Sequence, residues 1–299
     1  MATRLAGWRQ QLWSARVRLV DELAGLAEAA LERPWPWRDG VADVRYALLR
    51  VADDEQAATV RIAGTLAALG WRQAEPQQIL GLAEISRGGL LGELVGVPDE
   101  LLDREPAPGE WPLRRVLAHI ILTERRYYQR TAWHIAEARA GRPTTGEPPA
   151  GVVEPLGEVA LYERGAVYDF VERLETVREE ALDVLADCAP ADLDAPASWS
   201  GHAVDVRFRL HRFAAHERQH TVQVAKTLRG AGFAPSEPQQ LLAQAQATRG
   251  QLLATLTGLP DDRLDARPAP GQPSVAELLA ELVESERARP ASVRAALGG

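Results

Sequence analysis

Only six histidines occur in the 299 residues, and three of them stand where imidazoles can share one ion. In Arg212-Phe-Ala-Ala-His216-Glu-Arg-Gln-His220 two rings are spaced i, i+4, which on a helix sets them about 40° apart around the axis and one turn along it. His119, in Arg115-Val-Leu-Ala-His119-Ile-Ile-Leu, interrupts an otherwise apolar stripe, and a polar ring there needs a partner. Three histidines that leave coordination positions open form a catalytic ligand set. An HxxxH pair by itself is more often two half-exposed helix histidines, and a single core histidine is more often just hydrogen-bonded, so the case rests on all three converging.

The remaining histidines do not join them. His134 lies roughly 22 Å along a helix from His119, and His211 points about 140° away from His216; both are expected to be structural or solvent-facing. His202 falls in the turn before the HxxxH helix. Glu124 and Glu217 adjoin the ligands in sequence but not on their face, and are expected to be surface charges. Cys188 is the single cysteine, which excludes an internal disulfide and any cysteine metal cluster. A divalent ion on three histidines can activate a bound thiol or water by itself; no separate Ser/His/Asp or cysteine nucleophile is needed, and none stands out. Thr123 and Arg126 lie one and two turns beyond His119, while Arg209, Arg212 and Gln223 flank the pair at helical spacings. They are the candidate substrate contacts, an arginine being suited to hold a carboxylate. Ion pairing with nearby glutamates is the plainer reading of each arginine.

The elements that must position these rings follow from a repeat. Glu75-Pro76-Gln77-Gln78 recurs 162 residues later as Glu237-Pro238-Gln239-Gln240, and Pro106-Ala107-Pro108-Gly109 as Pro268-Ala269-Pro270-Gly271. The same offset pairs Trp37 with Trp199 and Asp43-Val44-Arg45 with Asp205-Val206-Arg207. Apolar spacing and Pro/Gly punctuation predict four helices per copy, near 3–31, 42–69, 76–96, 112–140, 159–188, 204–230, 238–258 and 274–296. Strand signals are nearly absent. The predicted class is all-α, two four-helix bundles from an internal duplication.

The long Pro/Gly-rich link 141–158 suits a crossover between parallel helices within a bundle. Short links such as 70–75 do not, since six residues reach only about 20 Å against a helix of roughly 37 Å. The expected domains are therefore a central bundle, 76–230, and a second one made by 1–70 plus 232–299; the rival parse is two consecutive bundles, 1–140 and 159–299. At the 162 offset His119 corresponds to Glu281, His216 to Asp54 and His220 to Ala58. The second bundle is thus expected to carry a silent pseudo-site at Asp54, Ala58 and Glu281.

Bulk properties exclude other classes. The formal charge of −8, from 34 basic and 42 acidic residues, is interspersed, whereas a nucleic-acid surface needs a concentrated positive face. No run approaches the ~20 apolar residues of a membrane span. Met1–Gln10 carries charges and tryptophan where a secretory signal would be apolar, so the expected location is cytoplasmic.

Together, Pro106-Ala-Pro-Gly-Glu-Trp111 leading into the helix of His119, the long crossover, and Trp199 entering the helix of His216 and His220 resemble the DinB/YfiT-like superfamily of metal-binding bundles. The resemblance covers about 76–230 closely and both flanks in degenerate form. It implies a right-handed up-down-down-up bundle, zinc or nickel on three histidines, and frequent dimerisation. It further implies transfer of a low-molecular-weight thiol to a small electrophilic substrate, or hydrolysis. Val222, two residues after His220, departs from the HxxxHxE pattern of the iron-binding branch and argues against it. The alternative is a non-catalytic metal-binding stress-response or ligand-binding protein. The doubled bundle also suggests a monomeric pseudo-dimer, a single-chain form of the family dimer.

Overall fold

A computed structural model describes residues 3–152 and 159–298. The order is α1 (Arg4–Leu23), β1 (Pro34–Trp37), β2 (Gly40–Asp43), α2 (Val44–Ala68), α3 (Glu75–Glu93), α4 (Leu113–Arg139), α5 (Val159–Arg164), α6 (Val167–Val184), β3 (Pro196–Trp199), β4 (His202–Asp205), α7 (Val206–Gly230), α8 (Glu237–Leu256) and α9 (Val275–Leu297). These form two compact units: residues 74–234, and residues 1–73 together with 235–299.

Local chemistry sets the helix starts. The side chains of Asp43 and Asp205 each accept a backbone N–H one turn into α2 and α7, the usual role of an N-cap carboxylate. Ser274 and Glu277 close a reciprocal capping box at α9. Pro76 and Pro238 sit in the first turns of α3 and α8, where a missing N–H costs nothing.

In the central unit α3 and α7 begin at the same end, where Arg207 pairs with Glu75 at 2.7 Å. α4 and α6 begin at the other end, where Arg114 donates to the Gly165 carbonyl at 2.6 Å. They finish together where Arg139 holds Asp187 and Asp192. The helices therefore run up-down-down-up, and the link from α4 to α6 returns along the length of the bundle; residues 153–158 of that link lie outside the described residues. In the terminal unit α2 and α8 likewise begin together, at Arg45–Glu237. α1 and α9 begin near Arg4–Asp265 and end at the Glu22–Arg294 pair.

Three expectations need correction. The predicted helix 3–31 ends at Leu23 and is followed by a 3₁₀ turn over Glu28–Glu32. The predicted helix 159–188 is broken at Gly165-Ala166 into α5 and α6, with Asp169 capping the Ala166 N–H at 2.7 Å. Two β-hairpins also precede α2 and α7 where strands were not expected. The second turns on Ser200 and Gly201, both at positive φ, 50° and 80°, as a two-residue primed turn requires. The Ser-Gly dipeptide was its signal. His202 consequently lies exposed at the head of β4, not in a loose turn. His134 is buried in α4, where its Nε2 accepts from the Ser198 N–H at 3.3 Å and lies 3.2 Å from its hydroxyl. Burial pushes its pKa down to about 4, so it stays neutral and fastens the hairpin to α4.

A larger correction concerns Glu124 and Glu217, which are 5% and 2% exposed and are not surface charges. Each of the four long helices of the central unit sends one charged side chain to a buried ring: Arg87, Glu124, Arg178 and Glu217. Arg87 reaches Glu124 and Glu217, each at 2.5 Å, and Arg178 reaches the same two at 2.6 and 3.0 Å. Burial pulls the Arg178 pKa down, but Glu124, Glu217 and Glu84 override it and hold the charge in place. The terminal unit repeats the ring with Arg16, Glu55, Arg249 and Glu286, at the positions the 162 offset dictates. Such a ring fixes which helix face turns inward.

One glycine is set by close approach. A Cβ on Gly230 would lie 2.6 Å from Pro106 Cβ, so the end of α7 packs on the loop before α4 only because the side chain is missing. Gly230→Ala is expected to cost about 1–3 kcal/mol through overpacking, measured as a lowered urea midpoint with unchanged slope.

Candidate metal centre

α4 and α7, antiparallel neighbours, bring His119 and His216/His220 to one place. The Nε2 atoms of His216 and His119 are 3.2 Å apart, and those of His220 and His216 3.0 Å; ligand atoms from all three lie within 4.8 Å of one another. A tetrahedral ion with metal–nitrogen bonds of about 2.0–2.1 Å would separate its ligands by roughly 3.3 Å, close to what the rings already adopt. His216 and His220 are each 7% exposed, and His119 is half-buried.

The protonation states suit an ion. Burial, then the neighbouring rings of His220 and His119, push the His216 pKa down to about 3. His119 is lowered by burial, by His220 and by Arg126, and His220 by burial. All three are therefore neutral imidazoles near pH 7. The Oε1 of Gln223 lies 2.7 Å from His220 Nδ1; as an amide oxygen only accepts, Nδ1 carries the proton and the Nε2 lone pair is turned to its partners. That is how outer-shell groups orient metal-ligating histidines. Gln223, expected to touch substrate, thus spends its amide oxygen on His220. Gln223→Leu is expected to weaken zinc affinity by roughly tenfold to a hundredfold while leaving the fold intact, read by competitive chelator titration.

Aromatic rings build the walls. Trp111 stands edge-on to His119 with centroids 5.5 Å apart, and Tyr127 edge-on to His216 at 5.3 Å. Tyr127 also packs on Trp199 at 4.6 Å, the residue carried by the second hairpin. Burial raises the Tyr127 pKa, so its phenol is neutral.

The other candidate contacts divide. Arg209 is buried and donates to Thr131 Oγ1 and to the carbonyls of Ser198 and Tyr127. Burial draws its pKa down to about 10, and it acts as a strut, neither a surface ion pair nor a substrate clamp. Arg212 lies over Trp199 at 5.3 Å, and its Nε has no acceptor among the described residues. Arg126 is exposed and close enough to His119 to be felt electrostatically. Thr123 is buried, one turn from His119. His211 is exposed. Cys188 is buried, and burial followed by Asp192 pushes its thiol up to about 11, unfit to be a nucleophile.

Asp54, Ala58 and Glu281 of the terminal unit hold no ligand set. Asp54 is taken by Arg50 and Arg289, Glu281 by Arg61, and Ala58 offers only a methyl. Among the described residues no helix is long and apolar enough to cross a membrane.

No curated protein matches the chain. A solved structure with a similar path is YfiT from Bacillus subtilis, described as "a probable metal-dependent hydrolase with an unusual four-helix bundle topology". It is 14% identical, with a TM-score of 0.43 over 55% of this chain and 95% of that one. The sequence pattern of the DinB superfamily matches residues 83–224, which take in all three histidines and all four ring charges, and the central unit of this chain belongs to that superfamily.

Proposed function

We propose that the central unit binds one divalent ion, zinc or nickel, through Nε2 of His119, His216 and His220, and uses it to transfer a low-molecular-weight thiol to a small electrophile. The observation that carries this reading is the convergence of three neutral imidazoles whose ligand atoms lie within 4.8 Å of one another, with His216 at 3.2 and 3.0 Å from the other two and His220 oriented from behind by Gln223. A divalent ion in such a site supplies Lewis-acid chemistry, drawing the pKa of a bound thiol or water toward neutrality.

The residues themselves supply binding and exclusion. Trp111, Tyr127 and Trp199 line the approach with aromatic surface. Arg212, half-buried over Trp199 and beside Tyr127, is the cation nearest this aromatic wall to take a carboxylate, a group borne by many small cellular thiols. The carboxylates nearest the ligands in sequence, Glu124 and Glu217, are committed to arginines. A hydrolase that expels a poor leaving group needs an acid to protonate it, and neither carboxylate is free for that task. Thiol transfer asks only for an activated nucleophile and an oriented electrophile.

The test is to load purified protein with zinc or nickel and assay a panel of thiols against chloroaromatic, epoxide and enone acceptors, beside ester and amide substrates. Metal-dependent thioether formation, lost in His216→Ala and weakened at least tenfold in kcat/KM for carboxylate-bearing thiols in Arg212→Met, is expected. Turnover of esters alone would move the protein to the hydrolases. No turnover of any substrate would leave a binding protein.

The recurrence of hairpins, caps and charged rings at one offset further supports a duplicated origin and a monomeric pseudo-dimer in solution. Light scattering is expected to give one chain, about 33 kDa from a sequence mass of 32.6 kDa. A stable two-chain species would count against it.

A further inference from the structure

A cleft of about 470 Å³ opens in the terminal unit among β1, α2 and α9. Asp54, Ala58 and Glu281, the counterparts of the three metal ligands, lie in its wall. The residues around them differ from the central unit in both volume and charge. Ala58 stands where the offset places His220, and Ala288 where it places Arg126, so volume is gained. Arg289 stands for Tyr127 and Arg61 for Gln223, two cations that pair with Asp54 and Glu281, the anions standing for His216 and His119; Trp35 stands for Ala197, and Pro273 for Trp111.

Trp35 and Trp37 stack at 5.5 Å with 21° between their planes. The Trp35 indole is fixed by a 2.7 Å hydrogen bond to Ser292 Oγ. Arg289 lies over Trp35 at 5.2 Å, only 7% exposed, and lines the cleft. One of its terminal nitrogens donates to Asp54 at 2.9 Å, but its Nε has no acceptor among the described residues. Arg289, held by Asp54 on one side, brings a guanidinium to the cleft wall, and a carboxylate is the acceptor that fits its fork. The volume falls in the range of small-ligand pockets, which pair apolar walls with a few placed polar groups.

We infer that the terminal unit is a second, metal-independent binding site for a small aromatic carboxylate, its ring against the partly exposed Trp37 and its anionic group on Arg289. Asp54 tethers the guanidinium, and Arg61 with Glu281 stands at the exposed rim. The site works without the histidine centre and does not depend on the activity proposed for it.

Calorimetric titration with 1-naphthoate tests this on the full-length protein stripped with chelator, with 1-naphthalenemethanol as the neutral counterpart. Saturable naphthoate binding at one site per chain is expected, at least tenfold tighter than the alcohol. It should be weakened at least tenfold by Arg289→Met, and be unchanged in the His216→Ala, His220→Ala double variant. Because Arg289→Met also releases Asp54, Ala57→Trp serves as a second variant. Ala57 is an exposed residue in the cleft wall, so its indole should block entry without touching the core, and should also cost at least tenfold. Absence of saturable binding, equal binding of the alcohol, indifference to both cleft variants, or loss of binding in the histidine variant would each overturn the inference.

Discussion

Replacing His216 with alanine is expected to abolish metal retention, weakening zinc affinity by more than about a hundredfold, the upper end of what losing a mere supporting hydrogen bond costs. His216 is the ring in contact with both others, so its loss leaves at most a two-ligand site. The fold should survive. Ligands that bind only the native state stabilise it by about 4 kcal/mol at a thousandfold excess over Kd, so zinc should raise the melting temperature of the wild-type chain and not that of the variant. Elemental analysis and paired melting curves check both halves. The pH dependence follows from the same burial. An imidazole whose folded pKa lies below its unfolded value of about 6.5 takes up its proton on unfolding, so stability is full above that value and declines as pH falls toward the folded pKa. For His216 that window runs from about 6.5 down to about 3. Zinc retention should likewise persist into mildly acidic buffer, where unburied histidine ligands are already protonated.

The second large effect belongs to the charged ring. Arg178→Met would leave Glu124 and Glu217 buried with half their partners gone, an imbalance that costs about 3–5 kcal/mol and, for a unit of this size, lowers the melting temperature by roughly 10 °C. Zinc stoichiometry should stay at one, because Arg178 touches no ligand. Replacing all four ring residues by apolar side chains of similar volume should recover most of the loss, since a buried ion cluster is often no better than a packed apolar core. If Arg178→Met melts within two degrees of wild type, the ring is not holding the four helices. The terminal unit has its own ring. There burial pushes the Glu55 carboxyl up, but Arg16 and Arg249 override it and keep it ionised.

What could be seen in the sequence follows the range over which each signal acts. The histidines were legible because helical spacing is a local rule: i, i+4 within one element fixes a face, and an imidazole in an apolar stripe advertises an inward direction. The helices, the repeat and the long link before α6 were legible for the same reason. Glu124 and Glu217 were misjudged because a charged residue on a helix is normally solvated, and only partners on three other helices reverse that. The offset did hold the clue. Glu124 and Glu286, Glu217 and Glu55, Arg87 and Arg249, Arg178 and Arg16 keep their identities across 162 residues, while the metal ligands do not. Arg209 and Gln223 were named as substrate contacts on spacing alone, and spacing does not report that one spends its donors on carbonyls and the other backs a histidine. The hairpins were hidden in prolines and tryptophans that look like loop punctuation.

X-ray absorption at the metal edge of zinc-loaded protein tests the central claim most directly. Three imidazole nitrogens at about 2.0–2.1 Å with exogenous water oxygen completing the shell, falling to two or fewer imidazoles in His119→Ala, is the expected spectrum. A shell of carboxylate oxygens and water, or one with three imidazoles that His119→Ala leaves unchanged, would contradict it.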